Sequence, residues 1–376
     1  MQYNIPNSLR EERTMGIIED RRALHRIPEL QWELPKTMDY LKKALSGLRC
    51  RIFSPVPGSL CAWFDFCRET AIAFRADCDA LPITECTGAD FSSTHPGRMH
   101  ACGHDGHMAI ALELARRLSR KQNLPHNVLL IFQPGEESPG GAERICRTGL
   151  LEQYGVTAVF GLHLWPGLPE GVLFSRPGAH MARASELTVD VYGCSTHIAN
   201  PGGGLDALPA AVKFYEKMRL LEASLPAGIP RLLNFGQFHS GTVRNALSAH
   251  AHMEGSLRAF RDDIFDHLRE GLYRIAGEVE LSSGCTVKIH MSQGYPAVWN
   301  HEQTLERVQK ILPVSHLETP TMTSEDFSWY QKYVPGVFFF LGLGDVPALH
   351  SADFHFNEAI LTKGADFFER LAEDFL

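Results

Sequence analysis

No CxxC pair, no apolar stretch of membrane-spanning length and no excess of basic residues occur in this 376-residue sequence, and each absence removes a class of function. The nine cysteines are scattered and odd in number, which argues for reduced thiols and against a disulfide framework or a zinc ribbon. Apolar runs stay short of the roughly 18 residues that a membrane helix needs. With 36 Lys and Arg against 44 Asp and Glu, interspersed along the chain, the formal charge of −8 leaves no basic footprint for nucleic acid or anionic lipid. Internal repeats and low-complexity tracts are missing as well, which excludes solenoids and disordered arrays. The opening MQYNIPNSLREERTMGIIEDRR is polar and charged, unlike a secretory leader, and predicts a cytoplasmic protein.

What is present is ample material for a core: 44% of residues are hydrophobic, and 32 are glycine. The length exceeds a single core, which usually stops growing near about 250 to 300 residues, so two domains are expected. Helical spacing from Gly16 to Leu48 predicts two helices around the turn HRIPELQWELP. Short apolar runs follow in SLCAWFDF, TAIAFRAD, NVLLIFQP and TAVFGLHL, with the helical stretch HMAIALELARRLSRK between the second and third. Strands of that kind alternating with helices predict an α/β domain, its sheet flanked by helices and buried on both faces. Near residue 180 the pattern changes. SELTVDVYG, NFGQFHSGT and AHAHMEGSLRAF alternate apolar and polar residues around two amphipathic helices, which predicts an inserted α+β domain of order β-α-β-β-α-β. The boundaries expected are 1–180 and 293–376 for a catalytic domain with a mixed sheet, and 181–292 for the insert.

The stretch MHACGHDGH carries three histidines, a cysteine and an aspartate within Met99 to His107. Cys102 and His104 stand two apart in a glycine-flanked turn, where both can converge on one ion; alternatively the histidines cap the following helix. Glu136 and Glu137 follow directly on an apolar strand in IFQPGEESPGG, so one carboxylate can ligate while the other serves as a base. His163 in GLHLWPG and His350 in PALHSADFH sit at comparable strand ends. Cys, His, Glu, His and His from four such loops suit two metal ions sharing a bridging residue. In RADCDALP, Asp77 and Asp79 can orient a ligating imidazole or cap the next turn.

Taken in order, RADCDALPITE, MHACGHDGH, FQPGEESPGGAERI, GLHLWP, GTVRNAL, EGSLRAF, TSEDF and ALHS resemble the dinuclear metallo-amidohydrolases of the aminoacylase and carboxypeptidase family. The resemblance spans nearly the whole chain. It is to the branch of hippurate hydrolases, indole-acetyl amino acid hydrolases and N-acetyldiaminopimelate deacetylases, and EESPGGAERI, HPGRMHACGHD and PGVFFFLGLG are most similar to the last group. It implies two divalent ions (zinc, manganese, cobalt or nickel), with Cys102 bridging, His104 and His163 completing one site, and Glu137 and His350 the other. Glu136 then stands at the position of the general base, with Asp79 behind the ligands. The insert matches the family's lid, which also forms a homodimer. His197 matches the lid histidine that steadies the oxyanion across that dimer, and Asn245 and Arg258 match positions that hold the substrate's polar groups. Gly202 departs from the pattern, standing where relatives carry a second lid histidine, and Ser195 and Thr196 replace the usual glycines.

The function implied is hydrolysis of an N-acyl amino acid, with N-acetyl-LL-diaminopimelate giving diaminopimelate and acetate. A broader hydrolase acting on hippurate-like substrates is the alternative. A metabolite-binding zinc protein would lack a use for Glu136, and a thiol enzyme built on Cys102 would leave Glu137, His163 and His350 without a role.

Overall fold

The computed structural model describes residues 16–376, so most of the polar opening segment, residues 1–15, lies outside the described residues. Along the chain, α1 (Ile17–His25) and α2 (Pro35–Leu45) precede β1 (Arg51–Phe53), β2 (Leu60–Phe64) and β3 (Ala71–Asp77). Helix α3 (His104–Arg120) leads to β4 (Asn127–Gln133), and α4 (Ala142–Arg147) and α5 (Leu150–Gln153) to β5 (Val156–Trp165) and β6 (Leu173–Ser175). Next come β7 (Gly178–Met181), β8 (Arg183–Tyr192), α6 (Ala207–Ser224), β9 (Arg231–Ser240), β10 (His250–Ala259), α7 (Asp262–Ser283), β11 (Thr286–Met291) and β12 (Val298–Asn300). The chain ends through α8 (Glu302–Ile311), β13 (Ser315–His316), β14 (Gly336–Gly342) and α9 (Ile360–Asp374).

Two compact units result. The first takes the chain up to Ser175 with Glu302–His316 and Tyr333–Leu376; the second takes Arg176–His301 and Leu317–Lys332. In the first, eight strands run in the order β1-β2-β4-β3-β5-β14-β6-β13. The central β4, β3, β5 and β14 are mutually parallel, and the flanking pairs β2 with β4 and β6 with β14 are antiparallel. Every residue of β3, β4 and β14 is buried. That is the signature of a sheet covered on both faces, and it explains the unbroken apolar runs. Phe74, Phe160 and Phe339 on the strands pack in one core with Leu112 and Leu118 of α3 and with Phe367 and Phe368 of α9.

The second unit is a four-stranded antiparallel sheet of order β11-β8-β10-β9. Alternate residues of β8 and β10, among them Val189, Val191, Met253 and Leu257, pack with Phe214 of α6 and Leu268 and Leu272 of α7, leaving the other face open. A two-stranded ladder of β7 with β12 completes it. Among the described residues no helix is long and apolar enough to cross a membrane.

Beneath the start of α3 lies a buried charge network. Asp105 accepts from Arg21 Nε and from His25 Nδ1, both at 2.8 Å, while His25 Nε2 stands 3.2 Å from Glu85. Burial alone would keep the imidazole neutral, but the charge of Asp105 and its hydrogen bond, with Glu85 behind it, outweigh desolvation and lift His25 to about 8 from 6.5. A folded-state value above the unfolded one stabilises fully below pH 6.5 and is lost as pH rises through about 8. In urea unfolding, the stability difference between the native sequence and His25→Gln is expected to narrow over that interval by on the order of 2 kcal/mol. A difference that stays constant with pH would show that His25 carries no charge in the folded protein.

Candidate metal centre

The four parallel strands end on the same edge, where open α/β sheets assemble their sites. Asp77 closes β3 and Asp79 follows it, Glu136 and Glu137 follow β4, His163 lies near the end of β5, and His350 comes eight residues after β14. Cys102 precedes the first turn of α3 and His104 opens it, with Gly103 between them at φ +85, a left-handed conformation that suits glycine. This is the use of the glycine punctuation in MHACGHDGH: the reversal at Gly103 turns Cys102 and His104 to one side.

The five expected ligands come together in two overlapping triplets, Cys102 with His104 and His163, and Cys102 with Glu137 and His350. Cys102 Sγ lies 3.4 Å from His163 Nε2, and Glu137 Oε1 lies 3.3 Å from His350 Nε2 and 3.9 Å from His104 Nε2. Each buried imidazole has its far nitrogen fixed. His104 Nδ1 donates to the Asp79 carbonyl at 2.8 Å, and His163 Nδ1 to the Leu164 carbonyl at 2.7 Å, so both present Nε2 to the site. Glu136 is buried beside them, with Oε2 4.0 Å from His104 Nε2.

Asp79 does more than the expected orienting of an imidazole, for which its carboxylate Oδ1 lies 3.7 Å from His104 Nδ1. Its backbone carbonyl fixes His104, and its carboxylate accepts the backbone N–H groups of Glu136 at 2.9 Å and Glu137 at 3.1 Å. One residue thereby holds two of the site's loops. Of the motif's other two histidines, His107 has structural work. His107 Nδ1 lies 2.6 Å from Asp77, and its Nε2 accepts the Leu164 N–H at 3.0 Å, so both nitrogens are taken and the ends of β3 and β5 are tied together. His100 is fully buried without a hydrogen-bond partner, and desolvation holds it near 3, hence neutral.

The charge balance fits cations. Asp77, Asp79, Glu136 and Glu137 crowd one buried spot, against which the Arg75 guanidinium pairs with Asp77 at 2.6 Å. Burial would depress His104, yet Asp77, Asp79 and Glu137 raise it to about 10, and its Nε2 has no hydrogen-bond partner. Burial together with Glu137 and Glu136 pushes the Cys102 thiol well up. A thiol and an imidazole that hold protons against buried carboxylates are donors whose protons a metal ion would displace.

Three expected substrate groups belong to the second unit. His197 and Asn245 are neighbours there: Ile198 N–H donates to the Asn245 carbonyl at 3.0 Å, and His197 bridges to Ala246, with both side chains exposed. Arg258 is not with them. It lies near the far end of β10, eight residues beyond His250, which at about 3.3 Å per residue is ~26 Å of strand. Its guanidinium donates to the Met322 carbonyl at 2.7 Å and to Ser256 Oγ at 3.1 Å. At Gly202 an added Cβ would meet nothing nearer than 4.0 Å, so space does not require glycine there.

A family model for the peptidase family M20/M25/M40 matches residues 73–374. The chain belongs to that family. It is 34% identical to an N-acetyldiaminopimelate deacetylase of Lacticaseibacillus casei over 363 residues, covering 93% of this chain and 94% of the relative. An uncharacterized hydrolase of Staphylococcus epidermidis is 32% identical over 370 residues, covering 94% and 97%. The crystal structure of the Bacillus subtilis YxeP protein, a dinuclear metal-binding peptidase of the M20 family, superposes with a TM-score of 0.82 at 28% identity, covering 95% of this chain and 96% of that one. As an M20 enzyme this protein is a hydrolase, with the mixed-sheet fold and inserted second unit of that family.

Two features of this M20 chain lie beyond the five donors. Arg75 and Asp77 sit two apart on a wholly buried strand, and that alternation in AIAFRAD was the available signal for a buried ion pair reaching the site. His350 is a non-glycine residue at φ +65, held by its N–H to the Ala101 carbonyl at 2.9 Å. Such a conformation costs a side chain on the order of 1 kcal/mol or more and clusters at functional sites. In metal-free protein, His350→Gly is expected to be more stable than His350→Ala by about 1 kcal/mol in urea unfolding. Equal stability of the two variants would mean that His350 is not strained.

Proposed function

We propose that this M20 enzyme is a dinuclear metal-dependent deacylase that removes acetyl from N-acetyl-LL-diaminopimelate, serving lysine and cell-wall precursor synthesis in the cytoplasm. The observation that carries the reading is the pair of donor triplets sharing Cys102 with the Glu136 carboxylate beside them. Cys102, His104 and His163 would hold one ion, and Cys102, Glu137 and His350 the other. Two divalent ions there would polarise the amide carbonyl and acidify a water. Glu136 takes the proton of the attacking water on its carboxylate and hands it to the departing amine nitrogen. Asp79 keeps Glu136 in place through the backbone N–H it accepts, so base and ligand cannot drift apart. Similarity to the Lacticaseibacillus deacetylase supports acetyl as the acyl group and diaminopimelate as the amine.

His197, steadying the oxyanion, and Asn245 and Arg258, holding substrate, complete the proposed machinery, with Arg258 as bidentate partner for a carboxylate. One copy of the second unit has His197 and Asn245 at one end of β10 and Arg258 at the other, too far apart for one amino acid. A homodimer resolves this: His197 and Asn245 serve the partner's substrate, and Arg258 its own.

Glu136→Gln should retain bound metal while release of diaminopimelate falls by roughly 10² to 10⁴; near-normal turnover in that variant removes Glu136 as base. In a substrate panel, metal-restored amine release confined to N-acetyl-diaminopimelate supports the assignment. Release from hippurate as well would move the enzyme to the broad N-acyl amino acid hydrolases. For the dimer, the Glu136→Gln and His197→Ala proteins, each nearly inactive, are to be unfolded together and refolded. If His197 acts across a two-fold interface, about a quarter of the native activity returns, because half the dimers are mixed and each has one intact site. No recovery would assign His197 to its own chain.

A further inference from the structure

We propose that the open face of the second unit's sheet is a separate transition-metal site, formed by Asp190, His250 and His252 with His239 as a fourth donor. The register of the four strands sets up the cluster. Reading across β9, β10, β8 and β11, His239 is paired with His252, His252 with Asp190, and Asp190 with Lys288. His250 lies two residues before His252 and therefore on the same face of the sheet. Helices cover the opposite face, so this row of polar residues owes nothing to the core.

The donor atoms converge. His250 Nε2 lies 2.7 Å and His252 Nδ1 2.8 Å from the same oxygen, Oδ1 of Asp190, while His252 Nε2 stands 3.2 Å from Glu254. Ligand atoms of Asp190, His250 and His252 all lie within 4.8 Å of one another. His239, His250 and His252 together line a cavity of about 220 Å³, which also touches Ser240 and Thr242. Tyr192 stacks on the His250 ring at 4.9 Å and limits its rotation, and the Lys288 ammonium lies over the Tyr192 ring at 5.4 Å. Imidazoles with one carboxylate select zinc, copper, nickel or cobalt over the oxygen-seeking magnesium and calcium. None of these residues is among the five donors of the first unit, and an ion here would tie β8, β10 and β9 together through side chains.

The test uses metal-free full-length protein, zinc as probe and equilibrium dialysis as readout. Cys102→Ala, which lacks the shared donor of the first unit, provides a background in which this site is counted by itself. Adding His250→Asn and His252→Gln to it should abolish one equivalent of bound zinc, or weaken it at least about tenfold. Asp190→Asn serves as a second variant on the same background, and the visible absorption of added cobalt(II) should diminish in both. Equal zinc binding with and without the substitutions, in variants with unchanged urea midpoints, overturns the proposal and leaves Asp190 as a hydrogen-bond acceptor for two surface imidazoles. Failure of the five-donor reading would instead leave the zinc count the same in the native protein and in Cys102→Ala, an independent comparison.

Discussion

Asp79 fastens the candidate centre. Its carboxylate collects the amide protons of two consecutive residues after β4 while its own carbonyl takes the proton of His104, so three donors from two loops are indexed to the end of one strand. Catalytic groups need placement within fractions of an ångström, and loops alone rarely give that. Here the precision comes from β3, a strand with no exposed residue, whose end cannot move without disturbing the core. Asp77 repeats the device one turn of the pleat earlier, joining Arg75, His107 and through it the backbone of β5.

The price of this rigidity is electrostatic. Four carboxylates gathered in a buried place repel one another, and in the chain alone they are balanced by Arg75 and by protons held on His104 and Cys102. The region is therefore built for charges that the polypeptide does not supply, and it connects the stability of the first unit to whatever cation is bound.

Much of this was written openly in the sequence. Continuous apolar runs announced β3, β4, β5 and β14, and because such strands are buried on both faces, the first polar residues beyond them had to mark the sheet's carboxyl edge. Glu137 and His163 stood there, while Cys102 and His104 lie at the start of α3 and His350 eight residues beyond β14. The roles of the remaining polar residues were less legible. Nothing in RADCDALP tells a carboxylate that grips backbone amides from one that grips an imidazole, since the choice depends on how the turn after β4 comes round to meet Asp79. Nor does MHACGHDGH reveal which imidazoles are consumed: His107 is distinguished from His104 by its bonds to Asp77, thirty positions away, and to the Leu164 N–H, fifty-seven away. The segment Leu317–Lys332 packs with the second unit although the stretch beyond 293 read as part of the first, because a seven-residue 3-10 helix at Asp326–Lys332 carries no period long enough to show its affiliation. Facing partners on β8, β9 and β10 were likewise hidden, since alternation gives a face and not a register.

The strand order of the first unit has a consequence for biosynthesis. β14 lies between β5 and β6, which are neighbours in the chain but not in the sheet. While the ribosome is still making the second unit, the edge of β5 is an unpaired ladder, and the loop that will bear His350 does not yet exist. The nascent chain thus carries four of its five candidate donors at the border of an unfinished sheet, and only arrival of the last forty residues both seals that border and brings the fifth donor. Completion of the fold and completion of the centre are a single late event in the life of the polypeptide.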